Sequence, residues 1–333
     1  AVTVREDYGK PVDIAALKPG MDRGRDAAMY ERAADLLRTA PLSPCLLCGS
    51  VAAEPQPAAE LHGCTYVRCP VCGHVHLRRM PAWAEYLALT AEAAAHMSAT
   101  LYRNSATRSA RLQQVMVPKV EYVCCAGEVG GGYWIDIGCG TGELLAAAHA
   151  RGWRVAGVER DAAAAAVARD VHGIPVCGDF AEVAGGGTAD VISLCNVLEH
   201  LPDPAGALRT LVDGTRLGTL FVIEVPHFDS LSTAAQLQYQ RPVNRHLVPC
   251  LHPQLFTKSS LDWLLQRTGL RAQAFWWFGQ DVYEWLQLLI AGGALPADSE
   301  LLRLLAKNLN GLQRVIDQNR QSDCLFCLAR RTA

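Results

Sequence analysis

The chain has 333 residues, a formal net charge of −2 and 13 cysteines. This length can bury a full α/β domain with a second, smaller unit beside it. The near-neutral charge gives no electrostatic footprint for a nucleic-acid backbone. The sequence also contains no run of about eighteen consecutive apolar residues, the pattern that would predict a membrane-spanning helix. An odd number of cysteines indicates reduced thiols and a metal site, so a cytoplasmic protein is expected.

Three units are predicted before the main domain: an N-terminal segment and helix (1–40), a zinc ribbon (41–80) and a helical linker or lid (81–120). In the ribbon, the pattern C-x-x-C-G occurs twice, at 45–49 and at 69–73. Each copy lets two thiolates face one ion, which predicts a closed, structural Zn²⁺ site formed by Cys45, Cys48, Cys69 and Cys72. A segment this short lacks an apolar core, so the metal is expected to hold it folded.

A histidine or a further thiol near the two C-x-x-C-G motifs, called knuckles below, could replace one of the four thiolates. The candidates for this exchange are His62, Cys64, His74 and His76. Four sulfurs leave no open coordination position, so the zinc is not assigned to catalysis.

The next strong pattern is an apolar run, residues 133–137, that carries Asp136 and breaks into Gly138, Gly140 and Gly142. A strand, a glycine turn and a helix in this order bring backbone N–H groups and a helix N-terminus close to a bound nucleotide. About twenty residues later a second buried strand ends at Glu159, whose carboxylate can accept hydrogen bonds from ribose hydroxyls.

The spacing D-x-G-x-G-x-G resembles the first motif of class I S-adenosylmethionine (SAM) methyltransferases and differs from the dinucleotide fingerprint G-x-G-x-x-G. The same family is resembled by the three further predicted strands, at 174–177, 189–195 and 220–225. It is also resembled by the motif V-L-E-H-L-P-D-P at 197–204. The resemblance implies an α/β fold over residues 121–333, a doubly wound, seven-stranded Rossmann-like methyltransferase sheet with a helical insertion at 280–320. It also implies SAM contacts from Asp136, Gly138, Cys139, Gly140, Gly142, Glu159, Asp179, Phe180 and Asn196.

In that family the acidic residue after the third strand holds the adenine amino group, and its apolar neighbour packs on the ring. Here these positions are Asp179 and Phe180.

Histidines near the carboxyl ends of the strands are candidates for a general base, because ligands gather at this edge of doubly wound sheets. His200 follows the fourth strand, and a substrate-side segment (227–257) supplies His227, His246 and His252. Glu224, at the end of the fifth strand, is a candidate for orienting a histidine or a substrate hydroxyl. For His200, packing near the SAM methionine moiety is an equal alternative to catalysis.

A third C-x-x-C pattern, Cys324 to Cys327, lies in a run that resembles the last strand of the sheet. Residues three apart in a strand point to opposite faces, so these two thiols are not expected to share a metal.

The ribbon combined with the class I motifs resembles bacterial methyltransferases of sugar, polysaccharide and antibiotic pathways. It implies C- or O-methylation of a small-molecule acceptor, a sugar or another natural-product biosynthetic intermediate, by a monomer or homodimer without a nucleic-acid or membrane partner. Two alternatives stay open. One is an RNA methyltransferase that uses the ribbon to recognise RNA, and the other is a non-catalytic SAM-fold partner protein.

Overall fold

A computed structural model describes residues 3–13, 17, 34–51, 55–88, 105–179, 188–239 and 246–332. These residues form a large eight-stranded sheet with helices on its faces, and a second sheet of four strands. Within them, no helix combines the length and the apolar character that crossing a bilayer requires.

The strands are β1 Arg5–Tyr8, β2 Gln56–Leu61, β3 Cys64–Arg68, β4 Val75–Leu77, β5 Tyr133–Ile137, β6 Arg154–Val158, β7 Val176–Cys177, β8 Val191–Cys195, β9 Leu220–Pro226, β10 Gln254–Leu255, β11 Leu270–Phe278 and β12 Cys324–Arg331. The helices are α1 Ser105–Arg111, α2 Val117–Ala126, α3 Glu143–His149, α4 Ala162–His172, α5 Pro204–Asp213, α6 Leu231–Tyr239, α7 Lys258–Arg267, α8 Asp281–Ala291, α9 Glu300–Lys307 and α10 Leu309–Gln318. A π-helical turn (Leu112–Met116) joins α1 to α2, and a 3₁₀ turn (Leu198–His200) follows β8.

The large sheet has the strand order β7-β6-β5-β8-β9-β12-β11-β1. Strands β5 to β9 run parallel to one another, whereas β12 is antiparallel to both β9 and β11. The chain progresses outward from β5 in one direction and then returns to β8 on its other side. The crevice between β5 and β8 is therefore the switch point at which doubly wound sheets bind ligands.

The Rossmann-like α/β fold is confirmed, but the described part of the sheet has eight strands and not the predicted seven. The additional strand is β1, which pairs in parallel with β11 at the edge of the sheet. Its sequence, R-E-D-Y, carries no apolar alternation, and its charged side chains have nearby partners. Arg5 donates to Asp7, and the hydroxyl of Tyr122 donates to Asp7 at 3.0 Å.

Both faces of the sheet are covered, which is why its central strands are almost continuously apolar. Phe221, Ile223 and Cys327 pack in the core on one face, and Trp134 and Phe326 pack in the core on the other. Full burial of each large side chain contributes about 1.5–3 kcal/mol. Cys324 lies in the second core, so it and Cys327 are on opposite faces, as the strand geometry predicts.

The four-stranded sheet has the order β2-β3-β4-β10, so residues 41–80 supply only three of its four strands. Its last strand, β10, comes from the predicted substrate-side segment and pairs antiparallel with β4. Cys45, Cys69 and Cys72 pack in the same core as Phe256 and Leu261 of the large domain. Apolar contacts from the large domain therefore form part of the core around the two C-x-x-C-G motifs.

Replacing Tyr66 by phenylalanine tests this connection between the two sheets. Tyr66 is fully buried, and its hydroxyl donates to the carbonyl of His252 at 2.8 Å. Loss of the donor leaves a buried carbonyl without this partner, so we expect Tyr66→Phe to lower the free energy of unfolding by about 1–3 kcal/mol in urea titrations. Tyr239→Phe, at an exposed position, is the control and should change it little. Equal midpoints for Tyr66→Phe and the wild type would contradict the connection.

Candidate active site and cysteine cluster

The loop between β5 and α3 adopts the left-handed backbone conformation that its glycines permit. The φ angles of Gly138, Gly140 and Gly142 are 70°, 55° and 86°. A Cβ at Gly138 would lie 2.7 Å from a methyl group of Val197, and one at Gly142 would lie 2.9 Å from the Cβ of Ala168. Beside Gly140 no described atom lies within 4 Å of such a Cβ, so this glycine leaves open space at the loop.

Asp136 lies beneath this loop at the end of β5. Only 3% of its surface is exposed, and the hydroxyl of Ser193 donates to its Oδ1 at 2.5 Å. The indole N–H of Trp134 donates to the same hydroxyl at 2.9 Å. Burial raises the pKa of Asp136 to about 7, against the opposing effects of this hydrogen bond and of the Lys119 charge.

Glu159, at the end of β6, faces the same loop. Its Oε2 accepts the N–H of Gly140 at 2.8 Å, and its Oε1 accepts the N–H of Asp161 at 2.7 Å. The sequence predicts that this carboxylate accepts hydrogen bonds from the ribose hydroxyls of SAM. The structure places it next to the open space at Gly140, whose N–H it accepts.

The other predicted SAM residues surround the loop in different ways. Cys139 is buried, and its sulfur lies so close to Gly157 that a Cβ at Gly157 would collide with it. Asp179 and Asn196 are exposed, and Asn196 has a φ of 55° while its N–H donates to the carbonyl of Glu224 at 2.8 Å. Phe180 lies outside the described residues.

Three of the four predicted histidines come together. The ring centroids of His200 and His252 are 5.0 Å apart, and those of His252 and His246 are 5.8 Å apart. His227 is held elsewhere: its Nδ1–H donates to the carbonyl of Ser322 at 2.9 Å, and its ring packs edge-on against Trp277. Burial lowers the pKa of His227.

Glu224, the predicted orienting carboxylate, forms a buried ion pair with Lys119 of α2. Burial alone would lower the pKa of Lys119, but the negative charge of Glu224 and its hydrogen bond raise it above its ordinary value. An ion pair this deep keeps both groups charged only because each compensates the other. Lys119 was missed by the sequence analysis; the one available signal was a lone lysine among the apolar positions of a helix.

Two further carboxylates near the histidines were also missed. Asp323 precedes β12, and its Oδ2 lies 3.6 Å from Nε2 of His246. Glu199 precedes His200 in the 3₁₀ turn and is fully buried, with Oε1 3.9 Å from Nε2 of His200. Burial raises the pKa of Glu199 to about 8. Asp323 has no local sequence signal, because its contact joins segments far apart in the chain, whereas Glu199 is adjacent to His200 in the E-H pair of the V-L-E-H-L-P-D-P motif.

The four cysteines of the two knuckles converge on one point. The sulfurs of Cys45 and Cys72 are 3.6 Å apart, as are those of Cys48 and Cys69, and all four lie within 4.8 Å of one another. Sulfurs on a tetrahedral zinc with bonds of about 2.3 Å are separated by about 3.8 Å, so the cluster has the size of such a site.

The neighbouring candidates for a ligand exchange are engaged outside the cysteine cluster. His74 contacts the side chains of Gln254 and Ser260, at 2.9 and 3.4 Å. The Nδ1–H of His76 donates to the carbonyl of Leu77 at 2.9 Å. His62 and Cys64 are not members of the cluster in the described part of the chain.

Comparison with known families gives a match over residues 95–274 to the family described as "Methyltransferase domain". This stretch contains the glycine loop, Asp136, Glu159 and the three clustered histidines, and it excludes the cysteine cluster. The predicted methyltransferase class is thereby confirmed at the level of the domain family.

Among curated proteins, the chain is similar to the ubiquinone biosynthesis O-methyltransferase of Ralstonia nicotianae, with 29% identity over 107 residues, covering 29% of this chain and 44% of that protein. It is 38% identical over 90 residues to the enzyme of the same name from Paraburkholderia xenovorans, covering 23% of this chain and 38% of that protein. The chain thus spans less than half the length of these relatives. A SAM-dependent methyltransferase structure from Archaeoglobus fulgidus aligns with a TM-score of 0.42 and 18% identity, over 66% of this chain and 96% of that one.

The raised pKa of Asp136 predicts a pH dependence of stability. A carboxyl whose pKa rises from 3.8 in the unfolded chain to about 7 in the fold loses stability as pH increases across that interval. We expect the free energy of unfolding of the wild type, relative to Asp136→Asn, to fall by on the order of 4 kcal/mol between about pH 4 and pH 8. Denaturant titrations of both proteins across this range measure the difference, in which the other carboxylates cancel. A difference independent of pH would show that Asp136 is not destabilised by burial.

Proposed function

This chain belongs to the methyltransferase-domain family, and we propose that it transfers a methyl group from SAM to a hydroxyl oxygen of a small-molecule acceptor. The observation that carries the proposal is the pairing of the left-handed glycine loop with Glu159 at the edge of β5 and β6. An oxygen acceptor is favoured over carbon because the curated relatives are O-methyltransferases. We infer that the acceptor is a sugar or another natural-product biosynthetic intermediate. This inference rests on the resemblance of the ribbon and the class I motifs to methyltransferases of such pathways.

SAM would lie across the carboxyl edge of β5, β6 and β8. The glycine loop offers the N-terminus of α3, and Glu159 would take the ribose hydroxyls in place of its bond to Gly140. Asp179 and Phe180 would hold the adenine, as the family resemblance implies. Asp136, Gly138, Cys139, Gly142 and Asn196 would shape the remaining wall.

Methyl transfer to a hydroxyl requires removal of a proton as the new bond forms. The acceptor oxygen would attack the sulfonium methyl in line, forming the C–O bond while the C–S bond breaks, and S-adenosylhomocysteine leaves as a neutral thioether. Of the predicted bases His227, His246 and His252, we favour His246, which lies beside the carboxylate of Asp323 at 3.6 Å. That neighbour would stabilise the imidazolium that forms, a role for which Glu224 is less suited because it pairs with Lys119.

The cysteine cluster would hold one structural Zn²⁺. The four sulfurs have the mutual distances of a tetrahedral site, and three of the four cysteines are buried. Because four thiolates leave no open position, the ion would hold the knuckles against the large domain and take no part in methyl transfer.

Titration calorimetry with SAM tests the cofactor site. Glu159→Gln removes the charge that favours ribose hydroxyls, so we expect SAM to bind about 10- to 100-fold more weakly, equivalent to about 1.5–3 kcal/mol. Glu60→Gln, at an exposed position of β2, is the matched control and should bind as the wild type does. Absence of SAM binding to the wild type, or unchanged affinity in Glu159→Gln, would reject this site.

The base is tested in the same proteins by mass spectrometry of products formed from SAM and a panel of hydroxylated sugars, sugar nucleotides and phenols. His246→Gln should keep its SAM affinity and lose about 10²- to 10⁴-fold in turnover. Wild-type turnover in His246→Gln would move the role to another group or indicate an acceptor that needs no base.

Zinc analysis after dialysis against EDTA tests the structural site. We expect one retained zinc per wild-type chain and none in Cys69→Ser, together with a lower melting temperature, because a missing thiolate opens the tetrahedral shell. Cys125→Ser changes an exposed thiol outside the cluster and should retain the metal. Full zinc content in Cys69→Ser would exclude the proposed ligand set.

A further inference from the structure

Glu199 is an uncompensated buried carboxyl group. Its side chain is fully buried, and among the described residues neither of its two oxygens has a hydrogen-bond partner. Burying an ionised carboxylate without a partner is strongly unfavourable, so such a group requires a proton or a bound cation. The nearest basic group is the ring of His200, whose Nε2 lies 3.9 Å from Oε1.

His200 and His252 both have the tautomer that leaves Nε2 with its lone pair. The Nδ1–H of His200 donates to the carbonyl of Leu251 at 3.1 Å, and that of His252 donates to the carbonyl of His246 at 2.7 Å. This pattern, with one ring nitrogen held by a backbone carbonyl, is typical of metal-ligating histidines because it fixes the ring and raises the basicity of the other nitrogen.

The three side chains converge. One ligand atom from each of Glu199, His200 and His252 lies within 4.8 Å of the other two. Ligands of one ion with bonds of about 2.1 Å stand about 3–4.2 Å apart, so small side-chain rotations suffice to close the set. The side chain of His200 is 45% exposed, which gives the cluster an open side toward solvent, while Glu199 and His252 form its buried wall.

We propose that Glu199, His200 and His252 bind a divalent transition-metal cation at a second site, distinct from the four-cysteine cluster. Two imidazole nitrogens and one carboxylate oxygen suit Mn²⁺, Fe²⁺, Co²⁺ or Zn²⁺, whereas the cysteine cluster selects Zn²⁺. The positions left open by three protein ligands face the solvent-exposed side and can take an oxygen ligand.

The role of this cation rests on the proposed methyl transfer, although its binding does not. The 3₁₀ turn that carries Glu199 and His200 directly follows β8, at the edge where SAM is proposed to bind. A hydroxyl of the acceptor bound at an open position would be acidified by the cation. The released proton would pass to His246, whose ring lies 5.8 Å from that of His252.

Mn²⁺ titration of the full zinc-loaded chain, followed by electron paramagnetic resonance, tests the site, because Mn²⁺ prefers oxygen and nitrogen ligands to thiolates. We expect one bound Mn²⁺ per wild-type chain, and binding at least about 100-fold weaker in Glu199→Gln and in His200→Gln. His149→Gln changes an exposed histidine outside the cluster and should bind Mn²⁺ normally.

SAM affinity, measured on the same variants, reports whether the fold and the cofactor site remain intact. Glu199→Gln keeps the side-chain volume, and the exposed His200 offers a second variant with little effect on the core. A wild-type chain that binds SAM but no Mn²⁺ would overturn the metal site and leave the methyltransferase proposal standing. Unchanged Mn²⁺ binding in both variants would overturn the ligand set. A chain that binds Mn²⁺ but no SAM would preserve the metal site and reject the proposed function.

Discussion

The close approach of two backbone segments at the end of β5 is the constraint on which the rest of the site depends. Gly138 and Gly142 have positive φ angles, and a Cβ on either would collide with Val197 or Ala168. The turn therefore needs glycine both for its conformation and for its packing. The turn leads into α3, whose Leu144 and Leu145 pack in the same core as Trp134 of β5. Asp136 and Glu159 lie at the carboxyl ends of β5 and β6, beside this turn.

The cysteine cluster and the histidine cluster are mechanically connected. The knuckles pack against Phe256 and Leu261, β4 pairs with β10, and Tyr66 donates to the carbonyl of His252. A structural ion at the cysteines would thus stabilise more than the ribbon, because the segment that carries His246 and His252 is attached to the same small sheet. Both sheets therefore contribute to the position of a few imidazole rings, which no single local element could fix.

Buried charge concentrates along the carboxyl edge of the large sheet. Lys119 and Glu224 compensate each other, Asp136 is held by Ser193, and Asp281 accepts the N–H groups of Ser232 and Asp323. Such groups weaken the fold when they are left ionised without a partner. Their accumulation at one edge is typical of functional sites, where perturbed pKa values serve binding and proton transfer.

The local patterns of the sequence predict most of the elements. Glycine spacing after an apolar run predicts the β5–α3 turn, an acidic strand end predicts the position of Glu159, and the paired C-x-x-C-G knuckles predict the four-cysteine cluster. These signals are readable because the chemistry needs particular residue types at short, fixed intervals. The edge strand β1 was missed, since a short strand with a charged sequence lacks the apolar alternation that marks a strand.

Only the tertiary structure decides which distant residues meet. The sequence nominates four histidines, with packing near SAM as an equal alternative for His200. The fold brings His200, His252 and His246 together while it holds His227 against Ser322 and Trp277. Lys119 and Glu224 are 105 positions apart, and β10 joins β4 across nearly two hundred residues. Local sequence determines the elements because neighbouring residues share one backbone conformation. The contacts of the site arise only when separate elements pack, and the residue types alone do not encode which pairs they will form.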